Sequence, residues 1–195
     1  KALRDDTLLV VGSAGSWPFG TLDEIDELGA LAAQHDVPMH IDACVGGFLI
    51  PFLERDSYYG RPLRAWDFRV SAVQTISADV HKNGMAPKPA STITFRSREV
   101  LEATRLFLPP DGLFAGSRTM ASVAASWFTM QSLGVCGYTQ VSRLSMALRD
   151  ELIDGMRALP GGDALDGARV RREVEARDRE MSNEFTKDAQ IAMLR

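Results

Sequence analysis

The sequence has no apolar run approaching eighteen residues, so no segment of it reads as a membrane-spanning helix. It has two cysteines, Cys44 and Cys136, in different predicted elements and without Cys-x-x-Cys spacing. Reduced thiols in a cytoplasmic setting are the expectation. Its three histidines, His35, His40 and His81, are scattered and form no metal-ligand cluster, so no metal is expected. It lacks a basic block long enough to follow a phosphate backbone, and its net charge is −4; nucleic acid is excluded as the expected partner. The opening "KALRDDTLLVVGSAG" has too short an apolar run, and no cleavage-like end, for a signal peptide.

What remains is ordinary globular composition, 45% hydrophobic and 25% charged over 195 residues, enough for one domain with a real core. "TLLVVGS" (7–13) reads as a buried strand. "TLDEIDELGALAAQHD" reads as a helix with Thr21 as its cap, acids in its first turn, and Leu22, Ile25, Leu28, Leu31 and Ala32 on one face. "VPMHIDA" (37–43) is the next strand, broken by "CVGGF". Strand, helix, strand in this space is a βαβ unit, so the fold class is α/β with a parallel-rich sheet flanked by helices. The stretch from Phe48 to Phe68 reads mostly as a surface excursion. "VSAVQTISAD" and "ASTITFRS" are further strands, and "REVLEATRLF" a helix. "LPPDGLFAGSR" is loop. Two helices follow, near 120–133 and 138–159, and "PGG" ends the second. Residues 163–195 change character: they are charge-rich with a sparse apolar stripe, and read as a solvated amphipathic helix.

Two residues carry chemistry. Asp42 ends a predicted parallel strand beside a Gly-Gly loop, and ligands of open α/β sheets collect at the carboxyl ends of strands. Alone, such an aspartate is more often a structural cap or half of an ion pair. Lys82 also follows a predicted strand. A lysine desolvated in such a pocket is expected to have a lowered pKa, and its neutral amine can attack a carbonyl to form a Schiff base. Alone, a lysine is usually a solvated charge. Together they suit pyridoxal phosphate, which needs a lysine for its aldehyde and an acid for its ring nitrogen. His81, beside the lysine, either donates to the phosphate or is a loop histidine bonded to backbone.

The segments "PMHIDACVGGFLIPF", "DFRV", "ISADVHKNGMAPK" and "AGSR", in this order and at compatible spacing, resemble the sphingosine-1-phosphate lyase branch of the group II pyridoxal-phosphate-dependent decarboxylases. The resemblance runs from about Leu8 to Pro160. It implies the fold type I, aspartate-aminotransferase-like architecture, with residues 1–162 forming part of the large cofactor-binding domain and 163–195 a tail that does not match the family's C-terminal domain. It implies Lys82 as the catalytic, cofactor-bound lysine and Asp42 as partner of the ring nitrogen. Cys44 takes the position packing on one ring face, His81 reaches the phosphate, Ser117 contacts the phosphate of a neighbouring subunit, and Arg118 holds an anionic substrate group or supports the loop. It further implies a homodimer acting on a small molecule, a phosphorylated sphingoid base or an amino acid. Some relatives carry a membrane anchor upstream.

The sequence departs from the family pattern in places. The phosphate loop and one ring-stacking group belong to a portion expected before Lys1, and "GSAGS" (12–16) reads as a plain turn in another position. Asn83 and Met85 stand where the lyases have aromatic residues, and "LPPDGLF" replaces a Gly-Gly, Tyr and Ser-Pro segment. The chain is therefore expected to be a piece of such an enzyme, inactive by itself. The leading expectation is a carbon–carbon lyase that cleaves a phosphorylated amino alcohol by a retro-aldol step to an aldehyde and phosphoethanolamine. The alternatives are an amino-acid decarboxylase of the same group and a non-catalytic remnant acting through association.

Overall fold

The computed structural model describes residues 3, 4, 6–105 and 119–158. Its elements follow in the order β1 (Val10–Ser13), α1 (Ile25–Gln34), β2 (Met39–Asp42), a single 3-10 turn (Gly46–Phe48), α2 (Ile50–Arg55), β3 (Val73–Ala78), β4 (Thr92–Phe95), α3 (Arg98–Arg105) and α4 (Ala121–Arg157). The strands form one sheet in the order β1-β2-β3-β4. β1, β2 and β3 are parallel and β4 runs antiparallel to β3, so the sheet is parallel-rich as expected. Ser13, Asp42 and Ser77 lie in register across the first three strands, which brings their carboxyl ends to one edge.

The alternation within "MHID" decides what each face does. Met39 and Ile41 are fully buried against Ile25 and Ala32 of α1, Val73 of β3, and Trp66, Val70 and Ala72. Residues two apart share a face of a strand, so His40 and Asp42 point to the opposite side. There His40 reaches the neighbouring strand, with Nδ1 2.7 Å from Thr75 Oγ1 and Nε2 3.2 Å from Ser77 Oγ. One face is thus a hydrocarbon core, each large side chain contributing about 1.5–3 kcal/mol by burial. The other is polar and leads to the sheet's carboxyl edge.

Two readings of local sequence are corrected. Thr21 does not cap α1; the cap position is Glu24, with no side-chain cap bond. Thr21 instead offers its carbonyl to the N–H groups of Gly15 and Ser16, which closes the turn after β1. The acids of the first turn, Asp26 and Glu27, stand as read, and Arg64 bonds both. The stretch after "CVGG" is not a surface excursion throughout: it forms α2, with Leu53 and Ile50 buried, and carries Trp66 into the core. Pro51 looks like a breaker but sits in the first helical turn, where a missing N–H costs nothing.

The two glycines of "CVGG" are set by close approach. A Cβ on Gly46 would lie 2.2 Å from the Ala14 carbonyl oxygen, and one on Gly47 would lie 2.6 Å from Ala78 Cβ. Gly46 also donates its N–H to that Ala14 oxygen at 3.1 Å. The loop after β2 is thereby pressed against the ends of both β1 and β3.

Arg96, just past β4, donates to the carbonyls of Val73 (2.6 Å), Phe68 (2.9 Å) and Val70 (2.6 Å), with its guanidinium 5.4 Å from the Phe68 ring. It fixes the chain entering β3. Arg96→Leu is expected to lower unfolding stability by about 1–2 kcal/mol, since three carbonyls lose a charged donor at a site still open to water. Urea denaturation followed by circular dichroism reads this, and an unchanged midpoint would contradict it.

The chain divides into two compact units, Lys1–Leu144 and Ser145–Arg195. All of the sheet belongs to the first; of the second, the described residues are the last turns of α4. Gly134, at φ 54° and ψ −172°, interrupts α4 and separates two helical runs, as the sequence pattern predicts. Among the described residues no helix is long and apolar enough to cross a membrane. The tail 163–195 lies outside the described residues.

Candidate active site

Asp42 is the last residue of β2, and its Oδ1 accepts the Cys44 N–H at 2.9 Å. This short side-chain-to-backbone turn bends the chain out of the strand and sets Cys44 over the sheet's carboxyl edge. The next loop, after β3, is laced to it. Asp79 donates its N–H to the Cys44 carbonyl at 3.3 Å, Ala43 donates to the Ser77 carbonyl at 2.9 Å, and the Asn83 side-chain amide donates to the Val45 carbonyl at 2.7 Å. Asn83 thus ties the two loops together.

Lys82 sits in the turn following β3. Its N–H donates to the Asp79 carbonyl at 3.1 Å, and its own carbonyl accepts the Met85 N–H at 3.0 Å. Its Nζ lies 2.9 Å from Asp79 Oδ2. The Cys44 thiol lies near enough to the Lys82 ammonium and the Asp42 carboxylate for each to act on its proton affinity, Lys82 lowering it and Asp42 raising it. Asp42, Cys44 and Lys82 therefore form one cluster, contributed by the ends of two adjacent parallel strands.

The electrostatics correct one expectation. Lys82 is not desolvated into a neutral amine: its side chain is 38% exposed. The Asp79 carboxylate, aided by the Cys44 sulfur, holds the ammonium above the usual lysine range, and burial opposes this more weakly. Burial pushes the Cys44 thiol up, with the Lys82 ammonium pulling the other way. Burial would raise Asp79 too, but hydrogen bonds from Ser91 and Lys82 and the nearby His81 bring its carboxyl below the ordinary range. Burial pushes the His40 imidazole down, against the Asp42 charge and the bond to Thr75.

His81 is fastened to backbone: its N–H donates to the Ala90 carbonyl at 3.0 Å, and Nδ1 lies 2.6 Å from the same oxygen. Nε2 is 3.8 Å from Asp79 Oδ2. Ser117 and Arg118 lie outside the described residues. Among the described residues there is no grouping of His, Cys, Asp and Glu suited to a metal ion.

Three residues near the cluster escaped the sequence reading. Asp79 carried a signal, since Asp-x-x-Lys in a turn places opposite charges side by side. Asn83 was noticed only as an anomaly. Tyr138 gave no signal: it lies on α4, is 4% exposed, stacks on Phe52 at 5.0 Å, and donates its hydroxyl to the Gly84 carbonyl at 2.8 Å. That bond pins the turn that carries Lys82.

Comparison with known proteins gives the family of the chain. The pyridoxal-dependent decarboxylase conserved domain matches residues 4–161. The chain is 37% identical over 168 residues to a sphingosine-1-phosphate lyase of Dictyostelium discoideum, covering 83% of this chain and 31% of that protein. It is equally identical, over 164 residues, to a probable L-tyrosine/L-aspartate decarboxylase of Methanothrix thermoacetophila, covering 82% of this chain and 41% of the other. Among solved structures, the sphingosine-1-phosphate lyase of Burkholderia pseudomallei superposes with a TM-score of 0.70 at 34% identity, covering 82% of this chain and 37% of that one. The chain thus spans well under half the length of these relatives. The glutamate decarboxylase of Lactobacillus brevis, at 22% identity and a TM-score of 0.62, shares the fold. The architecture is that of the fold type I large domain over the part that this chain covers. With its βαβ core, its laced loops and a match over most of its length, the chain belongs to the pyridoxal-dependent decarboxylase family.

Proposed function

We propose that this chain forms part of a pyridoxal-phosphate-dependent carbon–carbon lyase of the sphingosine-1-phosphate lyase type, cytoplasmic and homodimeric. The observation that supports it most is the Asp42–Cys44–Lys82 cluster at the carboxyl ends of β2 and β3. The donor set suits the cofactor: an amine for its aldehyde, a carboxylate for its ring nitrogen, and a soft sulfur between them. When bound, pyridoxal phosphate supplies an electron-accepting ring that takes up the electron pair of the bond being broken. Lys82 would provide the attachment point and, when free, a proton-carrying group. Asp42, a carboxylate anchored through Oδ1 to the Cys44 N–H, would keep a proton on the ring nitrogen. Cys44 would pack against one ring face, as the family resemblance implies. His81 is assigned to the phosphate end through Nε2, its other nitrogen being held by Ala90. Ser117 and Arg118 carry the phosphate-contact and anion-holding roles that the family resemblance implies.

The bond cleaved is Cα–Cβ of a phosphorylated amino alcohol in this reading. The similarity to a probable L-tyrosine/L-aspartate decarboxylase supports a second, in which carbon dioxide leaves from Cα of an amino acid. Incubation with pyridoxal phosphate and a phosphorylated long-chain amino alcohol, or separately an amino acid, distinguishes them by aldehyde or carbon dioxide release. The long-wavelength absorbance of a lysine-bound pyridoxal should develop in either case. Its absence in the full-length parent, with neither product, would remove both readings.

Asp42→Asn is expected to weaken retention of pyridoxal phosphate by about tenfold, the lower end of what a charge-assisted hydrogen bond contributes. Equilibrium dialysis measures it. Equal retention by the two proteins would take Asp42 out of the site.

A further inference from the structure

Asp79 meets three side chains around the lysine turn through its carboxylate. Its Oδ2 is 2.9 Å from Lys82 Nζ and 3.8 Å from His81 Nε2. Its Oδ1 accepts the Ser91 hydroxyl, and its N–H is held by the Cys44 carbonyl. The carboxylate is therefore tethered from two elements, while the lysine that it pairs with is on a flexible four-carbon stem. Asp79 is 16% exposed on its side chain and Lys82 38%, so the fixed partner is the carboxylate.

We propose that Asp79 is a positioning residue for Lys82: it parks the ammonium beside the β3 turn, and Lys82 must leave it to take up an aldehyde. This deepens the cofactor reading and rests on it. Three charged or titratable groups bear on Lys82: Asp79 from its own turn, Cys44 from the loop after β2, and Asp42 through that thiol. His81 faces Asp79 rather than the lysine. Asp79 is the carboxylate in direct contact, and it raises the proton affinity of Lys82. To react, the ammonium gives its proton to solvent water, and the neutral amine then attacks the carbonyl carbon, whose oxygen leaves as water.

Formaldehyde with cyanoborohydride tests this without the cofactor. The amine condenses with formaldehyde, water leaves, and hydride from the reductant completes an N-methyl group, which peptide mass spectrometry assigns to Lys82 or to Lys88. Rates are taken from about pH 6 to about pH 10 on the full chain. In Asp79→Asn the Lys82 profile should move to lower pH, with the rate near neutrality rising about two- to fivefold and Lys88 unmoved. Asp79→Glu should restore the original profile, which a merely structural role would not predict. Ser91→Ala, which keeps the charge but loosens its tether, should give an intermediate profile and stands in if Asp79→Asn does not fold. A Lys82 profile unaltered in both Asp79→Asn and Ser91→Ala overturns the proposal. A shifted profile in the chain, with no pyridoxal phosphate taken up by the full-length parent, upholds the Asp79–Lys82 coupling and overturns the cofactor reading instead.

Discussion

Lys82→Ala is expected to abolish covalent capture of pyridoxal phosphate. After borohydride reduction, pyridoxyl label on the chain should fall at least about tenfold, because a positioned amine reacts far faster than a free one. The sequence offers other lysines, Lys1, Lys88 and Lys187, so label could in principle move. Lys88 lies between two prolines on an exposed stretch and has no part in the Asp42–Cys44 cluster. Lys82 alone among the described lysines combines a carboxylate 2.9 Å away with a neighbouring thiol that also meets Asp42. Peptide mapping of the reduced adduct gives the answer. Undiminished label in the variant, carried by another lysine, would mean that the attachment point has been misassigned.

The second large effect is structural. Gly46→Ala would place a methyl 2.2 Å from the Ala14 carbonyl oxygen and 2.5 Å from Ile50 Cδ1. The isoleucine tip can swing aside, but the carbonyl is backbone, fixed at the end of β1 and bonded to the Gly46 N–H itself. Relief requires the loop to lift away from the strand, breaking that bond and disturbing the Asp42–Cys44 turn just before it. We expect a loss of about 3 kcal/mol, at the top of the overpacking range, and a fall in melting temperature of about 6–12 °C. Thermal denaturation by circular dichroism measures it. A variant that melts with the parent would show that the loop does not press on β1 as described.

The sequence carried the architecture well where period and punctuation agreed. β2 and β3 were marked by apolar and β-branched runs ending in small residues, and both appear close to the expected positions. Asp42 and Lys82 stand out in the sequence because one ends such a strand and the other follows one, and both act on the proton affinity of Cys44. What failed was local chemistry settled by tertiary contacts. Thr21 has the composition of a helix cap, but its backbone was claimed by the turn at Gly15 and Ser16. Pro51 has the composition of a breaker, but the first turn of α2 tolerates it. The high proton affinity of Lys82 comes from Asp79, whose nearness depends on the turn closing between positions 79 and 82. Tyr138 was invisible for a different reason: its partner is 54 residues away in sequence, and no local pattern encodes such a bond.

That tyrosine implies an order of events on heating. The turn bearing Lys82 is braced on one side by strands and on the other by a single phenol from a helix beyond Gly134's interruption. Helical ends and the segments they brace open more easily than a parallel sheet over a buried core. Warming should therefore unfasten the lysine's turn first, before the strands melt.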